Sequence, residues 1–359
     1  MAYQNASLEH RLDWVEASAR RVLEAATLDI GTRQADEIWW PFLVQTYGNE
    51  EAIFTRTRID KALFESVYTF VRHVPIESRG KKGAIRSNRE KLLFLMVFMM
   101  KGVEVLEIMV GRFIRTRSHI EERARAFADL FHDILVDGSV RFFDETHPLA
   151  PGAALIVDCT VCEIRRPDLP FRKAKRFFSG KHSMYCLKKE VCVNVRTGTA
   201  ALITPAFPGS VHDMSVLRSH AQEVRNVLSG KALLADLGYR GAENDIPTII
   251  VCGEQDELRS RRVLVECFFG RLKTLFFILS RTWTMKEEFF DTFFNIACAI
   301  TNLDVLNRPL QSVDYDFNRG VYSLVMAEQL NRAMDRRRAN AAYRERRRAR
   351  LGLLEHELL

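Results

Sequence analysis

Apolar positions recur at helical spacing from Ser7 to about Ala26, at Leu8, Leu12, Val15, Ala19, Val22 and Ala26, and Ser7 is placed to cap that helix. The aromatic stretch at 38–42 reads as a packing element between helices. Residues 60–73 form a second amphipathic pattern, and 78–83 read as a basic loop. Three helical patterns then follow at 88–101, 103–110 and about 118–136, punctuated by Gly102 and Gly111. Helix, short turn, helix, short turn, helix outlines a helix-turn-helix-like unit at 88–136. Arg115 and Arg117 precede its third member and are able to touch phosphates. A plain three-helix bundle with a solvated basic face fits the same pattern.

From Ala153 the period shortens. Strand patterns occupy 154–157, 190–195 and 200–204, the last two joined as a hairpin by Arg196-Thr-Gly-Thr. A helix at about 214–228 follows, then strands at 232–235 and 248–251. A helix carrying Glu266 and an apolar helix at about 289–306 come next. This order predicts an α/β, RNase H-like domain, a mixed five-stranded sheet flanked by helices, with its first and fourth strands side by side. The chain thus divides into a helical N-terminal region (1–150), the α/β domain (151–310) and a helical, arginine-rich tail (311–359).

Composition narrows the class. The apolar run at 92–100 is far shorter than the roughly 20 residues a bilayer requires, so it reads as a core helix and no membrane association is expected. No N-terminal stretch joins a basic region to an apolar core, so no signal peptide is expected. The seven cysteines lie mostly in apolar segments and read as free thiols in a reducing compartment. Cys159-x-x-Cys162 has the spacing of half a zinc site, with no second pair to complete it. The net charge is +7, and 332–350 alone holds nine arginines against Asp335 and Glu345. That tail matches the whole excess, so nucleic-acid contact elsewhere requires local basic patches.

Two apolar runs end in an acid: 154–157 before Asp158, and 232–235 before Asp236. Burying an unpaired carboxylate is costly. Together with Glu266 these acids make a site for hard divalent cations at the sheet edge. Each has a plainer reading. Asp158 suits a strand-end turn, Asp236 a tight turn with Leu237-Gly238, and Glu266 an ion-pair stripe with Arg262 and Lys273. In the functional reading Gly270 lets that helix face approach the sheet or DNA, while Arg262 and Lys273 meet phosphates. Ser210-Val-His-Asp213 fits a capping box. Lys181, His182, Lys188 and Lys189 fit either a solvated loop or a grip on a cleaved strand.

Val157-Asp-Cys-Thr, Phe178-Ser-Gly-Lys-His, Pro208-Gly-Ser-Val-His-Asp, Ala235-Asp-Leu-Gly-Tyr-Arg-Gly and Arg262-x-x-x-Glu-x-x-Phe-Gly-Arg-Leu-Lys occur in order. Across about 60–310 this set resembles the DDE transposases of the PIF/Harbinger group, with Cys159 where that group usually has glycine. The resemblance implies metal-dependent cleavage of DNA at transposon ends and joining of the 3′-hydroxyl to target DNA. Asp158, Asp236 and Glu266 are then both the catalytic residues and the ligands of two Mg²⁺ or Mn²⁺ ions, with Asp213, and more weakly His212, as auxiliaries. The C-terminal arginine run fits nuclear import or contact with the DNA backbone, against a solubilising tail, so a nuclear protein acting on DNA as a homo-oligomer is expected, and the resemblance leaves room for a separate DNA-binding partner. A domesticated relative that binds DNA or protein without catalysis, and an RNase H-like nuclease without strand transfer, share the same motifs.

Overall fold

The computed structural model describes residues 48–74, 87–105, 116–252 and 258–356. The expected helix at 7–26, the aromatic stretch at 38–42, the loop at 78–83, positions 106–110 and Arg115 lie outside them.

Side-chain caps start the N-terminal helices. Asn49 accepts from the Ala52 N–H at the head of α1 (Glu50–Thr57), and Asp60 from that of Leu63 before α2 (Lys61–Val71). Ser87 and Glu90 form a reciprocal capping box on α3 (Asn88–Lys101). Residues 92–100 of α3 are buried without exception, as an all-round apolar helix must be. In α4 (Arg117–Ser139) the buried stripe is Ile120, Ala124, Phe127, Ala128, Phe131 and Leu135. That stripe packs along α8 (Phe290–Asn307), which is itself enclosed by the core.

The sheet contains β1 (Ala153–Glu163), β2 (Phe178–Ser179), β3 (Met184–Asn194), β4 (Ala200–Ile203), β5 (Phe207–Pro208), β6 (Ala232–Ala235) and β7 (Ile249–Val251). The five expected strands run β4-β3-β1-β6-β7, antiparallel as far as β1 and parallel from β1 to β7. This is the RNase H-like arrangement, preceded by helices. The two-residue strands β2 and β5 pair onto β3. Both β1 and β3 reach about six residues further than their apolar runs suggest. Lys188 and Lys189 disguise the first half of β3 as a loop, although the ladder with β1 continues through both.

The helix expected at 214–228 is two, α5 (Asp213–Ser219) and α6 (Ala221–Leu228), broken at His220. After β7 come α7 (Arg259–Leu275), α8 and the 42-residue α9 (Tyr315–His356). One core cluster runs from Ile53 in α1 through the sheet, α7 and α8 to Val325 in α9. The helical region and the α/β domain therefore share an interior. Asn302 of α8 clamps β4 by accepting from the Ala200 N–H at 2.7 Å and donating to its carbonyl at 2.8 Å.

Arg261, wholly buried in the first turns of α7, joins three parts of the chain. Its guanidinium contacts Asp314 at 3.1 Å, Gln311 at 2.6 Å and the Val195 carbonyl at 2.5 Å. Asp314 also meets Arg196 at 3.0 Å and His147 at 3.2 Å. On α9, Tyr322 bonds Ser66 and Asn318 donates to the Thr197 carbonyl. From Asp335 onward every described side chain of α9 is exposed, so its arginine-rich half stands clear of the core.

Replacing Asp314 with alanine strands Arg261 in the interior and is expected to cost about 3–5 kcal/mol. The double change Arg261→Met with Asp314→Leu should cost less, because it removes both charges together. Denaturant midpoints at unchanged slope would check this; a double variant as unstable as the single one would contradict it.

Candidate active site

β1 and β6 pair in parallel, with Ile156 opposite Leu234, two residues short of Asp158 and Asp236. The two carboxylates therefore emerge side by side where β6 stops. Asp158 is not at a strand end, as its apolar run suggests, because β1 continues to Glu163. It lies mid-strand, beyond the last residue of its parallel neighbour. One of its oxygens accepts the Cys159 N–H at 2.7 Å. Burial raises the Asp158 pKa to about 6, helped by the charges of Asp236 and Asp213 and opposed by the Cys159 N–H and Arg262. Three acids and one arginine thus share a single electrostatic neighbourhood.

Asp236 caps the turn Leu237–Tyr239, accepting the Gly238 N–H at 2.9 Å. The turn-forming reading is realised, and it leaves the carboxyl group beside Asp158. The capping box expected for Asp213 does not form. His212 is the N-cap, exposed and without a side-chain cap bond, and Asp213 is the first residue of α5. Asp213 instead binds Lys188 at 2.7 Å, while the same ammonium donates to the Val211 carbonyl at 2.5 Å. Gly209 shapes this loop. A Cβ there would lie 2.4 Å from the Cys186 sulfur and 2.7 Å from the Phe177 carbonyl oxygen.

Glu266 lies on the outer side of α7 with its side chain 51% exposed, and it pairs with Arg262 at 2.8 Å. Gly270 is exposed too, and a Cβ there would meet nothing within 4 Å, so it serves no close approach to the sheet. Lys273 donates to the Val161 carbonyl at 2.9 Å and fastens α7 to β1. Lys189 is removed from the DNA-facing set. Adjacent strand residues point to opposite faces, so Lys188 reaches the acids while Lys189, 1% exposed, reaches Asp291 of α8 at 2.6 Å. Lys181 and His182 are exposed in the turn before β3, where burial and the cations Lys181, Lys188 and Lys273 lower the His182 pKa. Arg117, at the start of α4, pairs with Glu121 at 3.1 Å. Cys159 and Cys162, an odd number of residues apart on β1, face opposite ways and cannot share a zinc ion.

Behind the acids lies a buried polar network that the sequence reading missed. Glu190 faces Cys159 across the β1–β3 ladder and is wholly buried. The Tyr239 hydroxyl donates to it at 3.0 Å, and the Cys159 sulfur lies 3.4 Å from that hydroxyl. His220, at the α5–α6 break, stands 3.0 Å from the other Glu190 oxygen. Burial raises the Glu190 pKa, with His220 and Tyr239 pulling against it. Burial alone would lower the His220 pKa, and the neighbouring Glu190 carboxylate reverses that and raises it. Two signals were available: a lone acid leading the apolar run 191–195, and Tyr239 inside the Asp-Leu-Gly-Tyr motif.

In chemical character the donors suit a hard divalent cation, since all are carboxylates. The raised pKa of Asp158, set first by burial and then by the charges of Asp236 and Asp213, marks a carboxylate that would gain from such an ion. The shell is not gathered in advance: among the described residues, no group of three acids, histidines or cysteines stands close enough to hold one metal ion.

Residues 157–302 match the family model of the DDE superfamily endonucleases, a span that includes Asp158, Asp236 and Glu266. No curated protein matches the chain. Among solved structures, a piggyBac transposase synaptic complex with hairpin DNA, determined by cryo-EM, aligns with 84% of this chain and 83% of that one. The identity is 13% and the TM-score 0.35.

A carboxyl group whose folded pKa lies above its unfolded value destabilises the fold once both states ionise. For Asp158 the penalty is absent below pH 4, grows between about pH 4 and 6, and then levels off at about 3 kcal/mol at 1.36 kcal/mol per pKa unit. Asp158→Asn keeps an acceptor for the Cys159 N–H and should raise stability at pH 7 in chelator, with the gain vanishing by pH 4. Thermal unfolding across that range tests it; an equal gain at pH 3.5 would assign the effect to something other than charge.

Proposed function

We propose that this chain is a metal-dependent DNA endonuclease of the transposase type, within the PIF/Harbinger group, acting through Asp158, Asp236 and Glu266. One observation carries the reading. Two carboxylates leave neighbouring parallel strands at one level, and burial with mutual repulsion raises the pKa of one of them to about 6. They do so inside the stretch that matches the DDE superfamily endonucleases.

In this reading Asp158 and Asp236 hold the divalent ions and Glu266 completes the ligand set. The ions, when bound, supply charge stabilisation for the attacking and leaving oxygens of an in-line phosphoryl displacement. The chain's own groups do the rest. Arg262 is close enough to draw down the Asp158 pKa and is paired with Glu266 at 2.8 Å. A DNA phosphate arriving at Arg262 competes for its guanidinium and frees the Glu266 carboxylate. Arginine suits this exchange because its planar fork fits carboxylate and phosphate alike. Asp213 keeps Lys188 beside the acids. Lys181 and His182, in the exposed turn before β3, meet the DNA backbone. Joining of the 3′-hydroxyl to target DNA, the nuclear location and a homo-oligomeric assembly belong to the same proposal.

A second reading is favoured by the Arg262–Glu266 pair itself: a domesticated DNA-binding module that keeps the fold with its third acid locked away. The two readings differ in one assay. Purified full-length protein should nick labelled duplex DNA with Mg²⁺ or Mn²⁺ and not in chelator. Asp158→Asn, Asp236→Asn and Glu266→Gln should each lower the rate by more than about 100-fold, beyond what losing an outer-shell partner costs. DNA binding by the Asp158→Asn protein should persist. Binding without cleavage under either metal would favour the module, and full activity in Glu266→Gln would return that residue to a surface ion pair.

A further inference from the structure

We propose that residues 165–181 form a docking arm for single-stranded nucleic acid, set beside the acids. The segment runs from the end of β1 through β2 and holds seven lysines and arginines against a single acid, Asp168. All seven cations are exposed, and among the described residues no ion pair engages any of them. Elsewhere on the body, cations such as Lys188, Lys189, Arg196, Arg261 and Arg271 are spent on internal carboxylates. A dense, unneutralised strip therefore rises from a body that is otherwise net acidic. Its complement is a polyanion.

The arm is built rather than loose. Its first strut is Ile164, whose N–H donates to the Tyr185 carbonyl, while Trp283 donates to the carbonyl of Glu163. Its second is β2, paired with Met184 and Tyr185 of β3. Between the struts, Pro167 and Pro170 set two tight turns. The carbonyl of Pro167 accepts from Leu169, and that of Pro170 from Lys173 and Ala174. Ala174 is fully buried and plants the middle of the arm on the body.

Position ties the arm to the acids. The Arg176 carbonyl accepts the Ser210 N–H at 3.1 Å, and Gly209 lies against the Phe177 carbonyl. The same loop leads directly to Asp213, one of the charges acting on Asp158. A strand lying along the arm is thereby led toward Asp158 and Asp236.

Exposed apolar groups among the cations indicate which form of nucleic acid fits. Phe171 is 65% exposed and Leu169 42%, while Phe178 stands at the base of the arm against Tyr185. A duplex presents only phosphate and sugar to such a surface and leaves these groups idle. An unpaired strand offers base faces for Phe171 to stack on while its phosphates meet Arg165, Arg166, Arg172 and Lys173. The proposal depends on the DNA-cleaving reading for its substrate class, and on charge, exposure and backbone anchoring for the surface itself.

The test measures binding of the full-length protein, in chelator, to a 5′-labelled oligonucleotide and to its duplex. Substituting Arg165, Arg166, Arg172 and Lys173 by glutamine should flatten the slope of log affinity against log salt by about 0.7 per lost contact on the single strand. Phe171→Ala should weaken single-strand binding about tenfold and duplex binding less than about twofold. These side chains are exposed and unpaired, so melting temperatures should not move. Unchanged slopes and affinities would overturn the arm, and equal loss on both DNA forms would overturn its preference for single strands. Binding to phosphatidylserine vesicles through these residues, with no effect on DNA, would overturn the nucleic-acid assignment. A protein that shows these shifts yet cuts no DNA with Mg²⁺ or Mn²⁺ would sustain the arm and sink the endonuclease reading.

Discussion

The guanidinium of Arg261 is the fixed point from which the geometry around Asp158 follows. A fully buried arginine is tolerable only when its charge and donors are met, and Asp314, Gln311 and the Val195 carbonyl meet them. The partners come from two other parts of the chain: Val195 from the end of β3, and Gln311 and Asp314 from the turn that opens α9. The first turns of α7 are thereby held at one height and one rotation against the sheet. Further along, Lys273 repeats the constraint on the Val161 carbonyl. Between these two anchors the next residue, Arg262, can only come to lie near Asp158. A side chain that touches no acid of the candidate site thus sets which cation that site senses.

That arrangement leaves the acids unequally engaged. Asp213 is neutralised by Lys188, and Glu266 by Arg262. Asp158 has only a backbone N–H and a shared view of Arg262, and its burial raises its pKa to about 6. The raised pKa thus falls on a residue held mid-strand in the 11-residue β1. Beneath it the Glu190, Tyr239 and His220 network fills the space behind the ladder with groups that bond one another. Cys159 takes part where a glycine would leave that hydroxyl without a sulfur neighbour.

Much of this was legible in the residues. The apolar runs before Asp158 and Asp236, and the rule that the first and fourth strands adjoin, place those two acids together without coordinates. The apolar helix at 92–100 and the helical patterns beginning near residues 60 and 88 read correctly for local reasons, since each is set by neighbours in sequence. What failed depended on tertiary facts. Lys188 and Lys189 look equivalent until α8 occupies one face of β3. Ser210 and Asp213 have capping-box spacing, yet Lys188 draws Asp213 away and the helix starts later. For Glu266 the helix is obvious but its rotation is not, because the rotation is fixed by Arg261, whose partner Asp314 lies 53 residues further on.

The common interior of the N-terminal helices and the α/β domain bears on how this protein can be divided. α4 covers α8, and α8 in turn holds β4 through Asn302. A fragment beginning near residue 151 would uncover the apolar flank of α8, a surface that drives self-association. The segment Glu287–Asn307 is apolar enough to pass for a membrane span, so its bare face would be an unusually adhesive one. The helices ahead of the sheet are therefore less an appended module than a built-in chaperone for α8, the half of the interior that keeps the apolar flank of the α/β half covered.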